Sequence, residues 1–183
     1  MRIVLVRHPA PSIAPGRCYG RLDVGLHSSA DEQTTRLAAD PALHGATRVW
    51  TSPAVRCHRP AGSIARALGA TLTVDRRLQE LDFGAWEGQP WQAIGRADLD
   101  RWAASPLTFA PPGGESGAKL LARVRDFHAG LCRDQQDCVV VSHGGPLKIL
   151  SALLLGTPVD LLAPAPPIGS VSSIVCSMTG PPA

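Results

Sequence analysis

The chain has 183 residues, 44% of them hydrophobic and 18% charged, with a formal net charge of +3, which fits one domain with a real core and argues against wholesale disorder. All its basic residues except Lys119 and Lys148 are arginines and they form no run, so nucleic acid is not an expected partner; the odd cysteine count without CxxC spacing suggests neither a disulfide framework nor a zinc site. The start of the chain lacks a secretory apolar region and no apolar run is long enough to cross a bilayer, so a soluble, cytoplasmic protein is expected.

Ile3-Val4-Leu5-Val6 is a short apolar run rich in β-branched residues, and Cys138-Val139-Val140-Val141 is another. Such runs suit strands buried on both faces, in a sheet covered by helices. Between them, residues 30–39 predict a helix, 47–51 a strand, 53–68 a helix and 70–74 a strand. Residues 81–114 read differently, with three tryptophans, several glycines and Pro111-Pro112-Gly113-Gly114. They are expected to form an excursion over the sheet that serves as a small lid. Residues 116–132 carry Leu120, Leu121, Val124, Phe127 and Leu131 on one helical stripe. Residues 146–155 predict a further helix, and 170–176 a last strand after a stretch rich in proline and glycine. Strands alternating with helices predict a three-layer α/β/α fold, a mostly parallel central sheet and a single domain over 1–183.

Arg7-His8 follows the first strand directly, and Ser142-His143-Gly144-Gly145 follows the second apolar run. Ligands of open α/β sheets sit at the carboxyl ends of the strands, so both histidines belong at the ligand edge. Gly144 and Gly145 would open the next helix with N–H groups facing an anion. Thr51-Ser52-Pro53-Ala54-Val55-Arg56 also leaves a strand for a helix and places Arg56 near the same edge. With Arg7 it can clamp phosphoryl oxygens. Glutamate is scarce, and Glu80 lies in the apolar stretch Leu78-Gln79-Glu80-Leu81-Asp82-Phe83-Gly84. An acid there suits protonation of a departing alkoxide.

Arg7-His8, Thr51 to Arg56, Glu80 with the following Phe83-Gly84-Ala85-Trp86-Glu87-Gly88, Pro112 to Ser116, and Ser142 to Gly145 stand in one order. That order and spacing resemble the histidine phosphatase superfamily, the phosphoglycerate mutase-like fold. The resemblance implies His8 as nucleophile and Arg7, Arg56 and His143 as the positive phosphate pocket. It implies Glu80 as general acid and later base, and no metal or other cofactor. The expected partner is a small-molecule phosphate ester. The chain departs from the family pattern at Pro9, where glycine is usual, at Ala10-Pro11 before Ser12, and at Gly25-Leu26; the family's downstream asparagine has no counterpart at Ala14. Proline removes an N–H, so a phosphate loop that used it would lose a donor.

Cys18-Tyr19-Gly20-Arg21-Leu22-Asp23 resembles a stretch in the branch containing α-ribazole phosphatase, which removes a 5′-phosphate in cobalamin biosynthesis. On that reading Arg17, Arg21 and Ser12 join Gly144 as substrate-binding candidates, with a loop arginine paired to Asp23 as the alternative for Arg17 and Arg21, and Tyr19 either stacks on a base or packs within its loop. A broad phosphatase acting on phosphoserine or sugar phosphates is the alternative. An inactive relative that binds phosphorylated ligands is the reading from another class.

Overall fold

The structure, a computed structural model, describes residues 1–176. The strands are β1 (Arg2–Arg7), β2 (Arg48–Thr51), β3 (Thr71–Val74), β4 (Cys138–Ser142) and β5 (Val171–Val175). They form one sheet in the order β3-β2-β4-β1-β5, parallel except for β5. The helices are α1 (Ala30–Ala38), α2 (Val55–Leu68), α3 (Arg96–Ala104), α4 (Gly117–Asp134) and α5 (Gly144–Leu155).

The period-two alternation of side chains divides each central strand between two cores. Ile3, Leu5 and Val140 face Leu120, Phe127 and Leu147 of α4 and α5. Val4, Val6, Val139 and Val141 face Leu37 of α1 and Cys57, Ala61 and Ile64 of α2. Both faces are covered, so β1 and β4 carry apolar residues without interruption. This is the expected three-layer α/β/α fold. Among the described residues, no helix is long and apolar enough to cross a membrane.

Every expected strand and helix is present, with ends shifted by no more than two residues. The 81–114 excursion holds more order than the sequence suggested: two short 3-10 turns and the helix α3. No residue of α3 is fully buried. Its signal is weak because Leu99 and Trp102 pack into a satellite cluster with Trp86, Trp91 and Phe109, and only Trp102 also reaches the core beneath the sheet. The neck of the excursion closes where Ala85 N donates to Pro112 O at 2.8 Å and Glu115 N to Asp82 O at 2.9 Å. Gly84 sits there at φ 51°, and a Cβ on it would lie 2.2 Å from Pro112 O. That explains the glycine after Phe83: the two chain segments pass too close for any side chain.

Candidate active site

Register brings the two histidines together. β1 and β4 pair in parallel with Arg7 opposite Ser142, so His8 and His143 each come one residue past the same rung. His8 N continues the ladder by donating to Ser142 O at 3.1 Å. The rings meet edge to face with centroids 5.3 Å apart, close to the spacing of neighbouring strands. On the other side of β4, Ser52 N donates to Val141 O at 3.1 Å, which places Ser52 beside His143.

His8 is buried. Its Nδ1 lies 2.7 Å from the carbonyl oxygen of Pro9. A carbonyl only accepts, so Nδ1 carries the proton and Nε2 keeps its lone pair. The proline at position 9 thus still supplies what orients His8, because a carbonyl is the one polar group proline retains. Burial pushes the imidazole down from 6.5 to about 3, against the Pro9 hydrogen bond, and the charges of Arg56 and Arg7 add to the fall. His143 is held well below its usual range by burial first and then by Arg56. Its Nε2 is hydrogen-bonded with Ser52 Oγ at 2.8 Å, and Cys57 Sγ lies 3.5 Å from Nε2 and 3.7 Å from Nδ1.

A stability prediction follows from both shifts. In the unfolded chain these histidines take up protons as pH falls through about 6.5, whereas folded His8 stays neutral down to about 3. The unfolded state therefore binds more protons across that window. Stability should be full above pH 6.5 and decline as pH drops below it. Urea unfolding at stepped pH checks this. His8→Asn should make the decline shallower, and an unchanged slope in that variant would contradict it.

Arg56 is fully buried in the first turn of α2. Its Nη1 donates to Leu22 O at 2.9 Å and its Nη2 to Gly20 O at 2.6 Å, and the guanidinium lies 5.1 Å from the Tyr19 ring centre. Arg7 donates through Nη1 to Pro166 O. Among the described residues neither arginine pairs with a carboxylate, and their Nε groups are the two buried side-chain nitrogens with no partner. A buried guanidinium without a counter-charge is costly to hold. Donors left over on two such groups suit an anion.

Gly144 and Gly145 open α5 as expected. Gly144 packs on Arg7: a Cβ there would lie 3.4 Å from Cζ. The Gly145 N–H is not free for a ligand. It donates to both carboxylate oxygens of Glu80 at 3.2 Å, and Leu81 N donates to Oε1 at 3.0 Å. The group docked at this helix N-terminus is therefore the Glu80 side chain itself. A Cβ on Gly145 would stand 2.3 Å from Oε1, so only glycine lets the carboxylate dock there.

The remaining substrate candidates have partners of their own in the surrounding loops. The Arg21 guanidinium pairs with Asp82 at 3.4 Å and Glu115 at 3.0 Å, and not with Asp23, which accepts from Val55 N. Arg17 is exposed and donates to Gly88 O at 2.6 Å, tying its loop to the excursion. Ser12 is exposed, and its N–H donates to Gly25 O. Tyr19 lies against Arg56. The segment 18–23 thus braces the arginine pocket from behind. Ser52, Glu115 and Arg123 were not singled out from the sequence. Glu115 had a faint signal as one of four glutamates; Arg123 had none, being one arginine among many on a helix.

The sequence matches the histidine phosphatase superfamily (branch 1) over residues 3–181. The chain belongs to the histidine phosphatase superfamily. It is a phosphoric monoester hydrolase. This histidine phosphatase is 31% identical over 167 residues to phosphoserine phosphatase 1 of Hydrogenobacter thermophilus, covering 88% of the chain and 78% of the relative. It is 30% identical over 174 residues to the glucosyl-3-phosphoglycerate phosphatase of Mycobacterium tuberculosis, covering 86% and 77%. Its fold superposes on the α-ribazole phosphatase of Shigella flexneri with a TM-score of 0.86 and 25% identity, over 97% of this chain and 92% of that one.

Proposed function

We propose that this histidine phosphatase cleaves its esters without a metal, through a phosphohistidine on His8, and that its substrate is α-ribazole 5′-phosphate. The observation that carries the chemistry is a neutral His8 with its lone pair on Nε2, near two arginines that have no carboxylate partner. Nε2 attacks phosphorus in line while Arg7 and Arg56 hold the equatorial oxygens and His143 completes the pocket against the His8 ring. Glu80 gives its proton to the departing alkoxide. It then takes a proton from the water that attacks phospho-His8, releasing inorganic phosphate and restoring both groups. Phosphoryl transfer asks a protein mainly for positioning and charge stabilisation, which cationic side chains provide.

The substrate reading draws on the segment 18–23, on the likeness to an α-ribazole phosphatase, and on a cavity of about 140 Å³ against Glu80. Phe83, Trp102, Leu120 and Leu161 give it an apolar lining, which suits a leaving group with a flat apolar base. Phosphoserine or a sugar phosphate is the second reading, favoured by the two curated relatives.

The test is steady-state turnover in EDTA of α-ribazole 5′-phosphate beside phosphoserine, 3-phosphoglycerate and p-nitrophenyl phosphate. An advantage of orders of magnitude in kcat/KM for the first is expected. Similar low rates on all would leave the chemistry and remove the substrate. No turnover and no retained ³²P label would favour a phosphate-binding relative instead. In the same assay Glu80→Gln should slow alkyl esters by about 10²–10⁴-fold and the activated aryl ester far less, because only the former need a proton delivered. Equal slowing would remove Glu80 as the acid.

A further inference from the structure

The stretch that carries Glu80 has no helix or strand of its own. β3 ends at Val74, a 3-10 turn covers Arg76–Leu78, and residues 79–83 are irregular. Backbone carbonyls in such a stretch need partners from elsewhere. Those of Arg77, Gln79 and Glu80 all accept from Arg123 of α4, at 2.7, 2.5 and 2.9 Å. Between them, the Leu78 carbonyl accepts from Ser142 Oγ at 2.7 Å. Arg21 Nε adds a longer contact of 3.4 Å to Glu80 O.

Both arginines converge on one carboxylate. Arg123 Nη2 donates to Glu115 Oε1 at 2.6 Å, and Arg21 Nη2 to Glu115 Oε2 at 3.0 Å. Glu115 Oε1 also accepts from Asp82 N at 3.2 Å. The Arg123 and Glu115 side chains are only 15% and 11% exposed, so this is no solvent-screened surface pair. The network grips the chain on both sides of Glu80, while α5 grips its carboxylate through Gly145.

We propose that Arg123, Glu115 and Arg21 are positioning residues that set the aim of the Glu80 carboxylate and so the rate of proton delivery to the leaving group. This rests on Glu80 being the proton donor. A planar fork can serve three carbonyls and a carboxylate at once; a lysine nitrogen at position 123 cannot. Misplacing a catalytic group by about 1 Å can cost about 10²-fold in rate.

The experiment compares Arg123→Lys and Glu115→Gln with wild type on glycerol phosphate and p-nitrophenyl phosphate, each alone and combined with Glu80→Gln. The expected kcat on the alkyl ester falls about 10- to 100-fold, with a loss at least about ten times that on the aryl ester and little change in KM. In the Glu80→Gln background either second substitution should add less than about threefold, because the group it aims is already gone. Arg21→Lys should show the same pattern more weakly, its contact to Glu80 being longer. Glu115→Gln is nearly isosteric and gives the reading if Arg123→Lys does not fold. Equal losses on both esters, or losses that add fully to Glu80→Gln, would assign the network to stability alone and overturn the proposal. Glu80→Gln slowing both esters alike would remove the acid and this proposal with it. Discrimination by Glu80→Gln but not by the network variants would remove only the latter.

Discussion

His8→Ala should abolish turnover of every phosphate ester, by at least about 10⁴-fold, while the variant still binds inorganic phosphate. Among the described residues at this edge, His8 is the histidine with a ring nitrogen left uncommitted. His143 lies next to it, yet its Nε2 is taken by Ser52 Oγ at 2.8 Å and Cys57 Sγ lies within 3.7 Å of both ring nitrogens. His8 uses Nδ1 on the Pro9 carbonyl and keeps Nε2. Burial near two guanidinium groups keeps it unprotonated, so as the proposed nucleophile it needs no base to activate it. Alanine removes the proposed nucleophile but leaves Arg7 and Arg56, so phosphate affinity should survive. Quenched-flow incubation with ³²P-labelled substrate should show acid-labile label in wild type and none in His8→Ala. Label retained in the variant, or a rate loss below tenfold, would move the nucleophile elsewhere.

Arg56→Ala should lower kcat/KM by about 10²–10³-fold, the scale of removing one donor from an oxyanion site. Its cost has two parts. The variant loses a guanidinium that no carboxylate neutralises among the described residues. It also releases the carbonyls of Gly20 and Leu22, which the same side chain holds at 2.6 and 2.9 Å. Arg56→Lys separates the parts. A single ammonium restores charge but cannot reach both carbonyls and a phosphate oxygen, so most of the loss should remain. Vanadate inhibition should weaken in parallel with kcat/KM. A loss under tenfold in Arg56→Ala would place Arg56 outside the pocket.

The two variants also show how the site was legible. Arg7, His8, His143 and Arg56 could be placed near one edge because each stands just after an apolar strand, and parallel strands present their carboxyl ends together. Their contacts could not be read that way. That His8 and His143 touch depends on β4 lying between β1 and β2 with Arg7 opposite Ser142, a pairing across 135 positions. The partners of Arg21 show the same limit. Its motif suggested a place near a substrate, while the carboxylates it pairs with, Asp82 and Glu115, stand 61 and 94 residues away. The helix α3 escaped because its few apolar side chains pack into a local aromatic cluster and carry no sheet-facing stripe.

Taken alone, the sequence determined the local choices: buried strands from continuous β-branched runs, helices from their stripes, and the residue types of the proposed phosphate pocket at strand ends. Those follow from burial and backbone geometry within a few residues. Tertiary structure decided the strand order, the tautomer of His8, and the docking of Glu80 on Gly145. It also decided the ion pairs that join Arg21 and Arg123 to the buried Glu115. Each of these depends on which distant groups become neighbours, and a hydrogen bond or a desolvated charge takes its energy from that neighbour and not from its place in the chain.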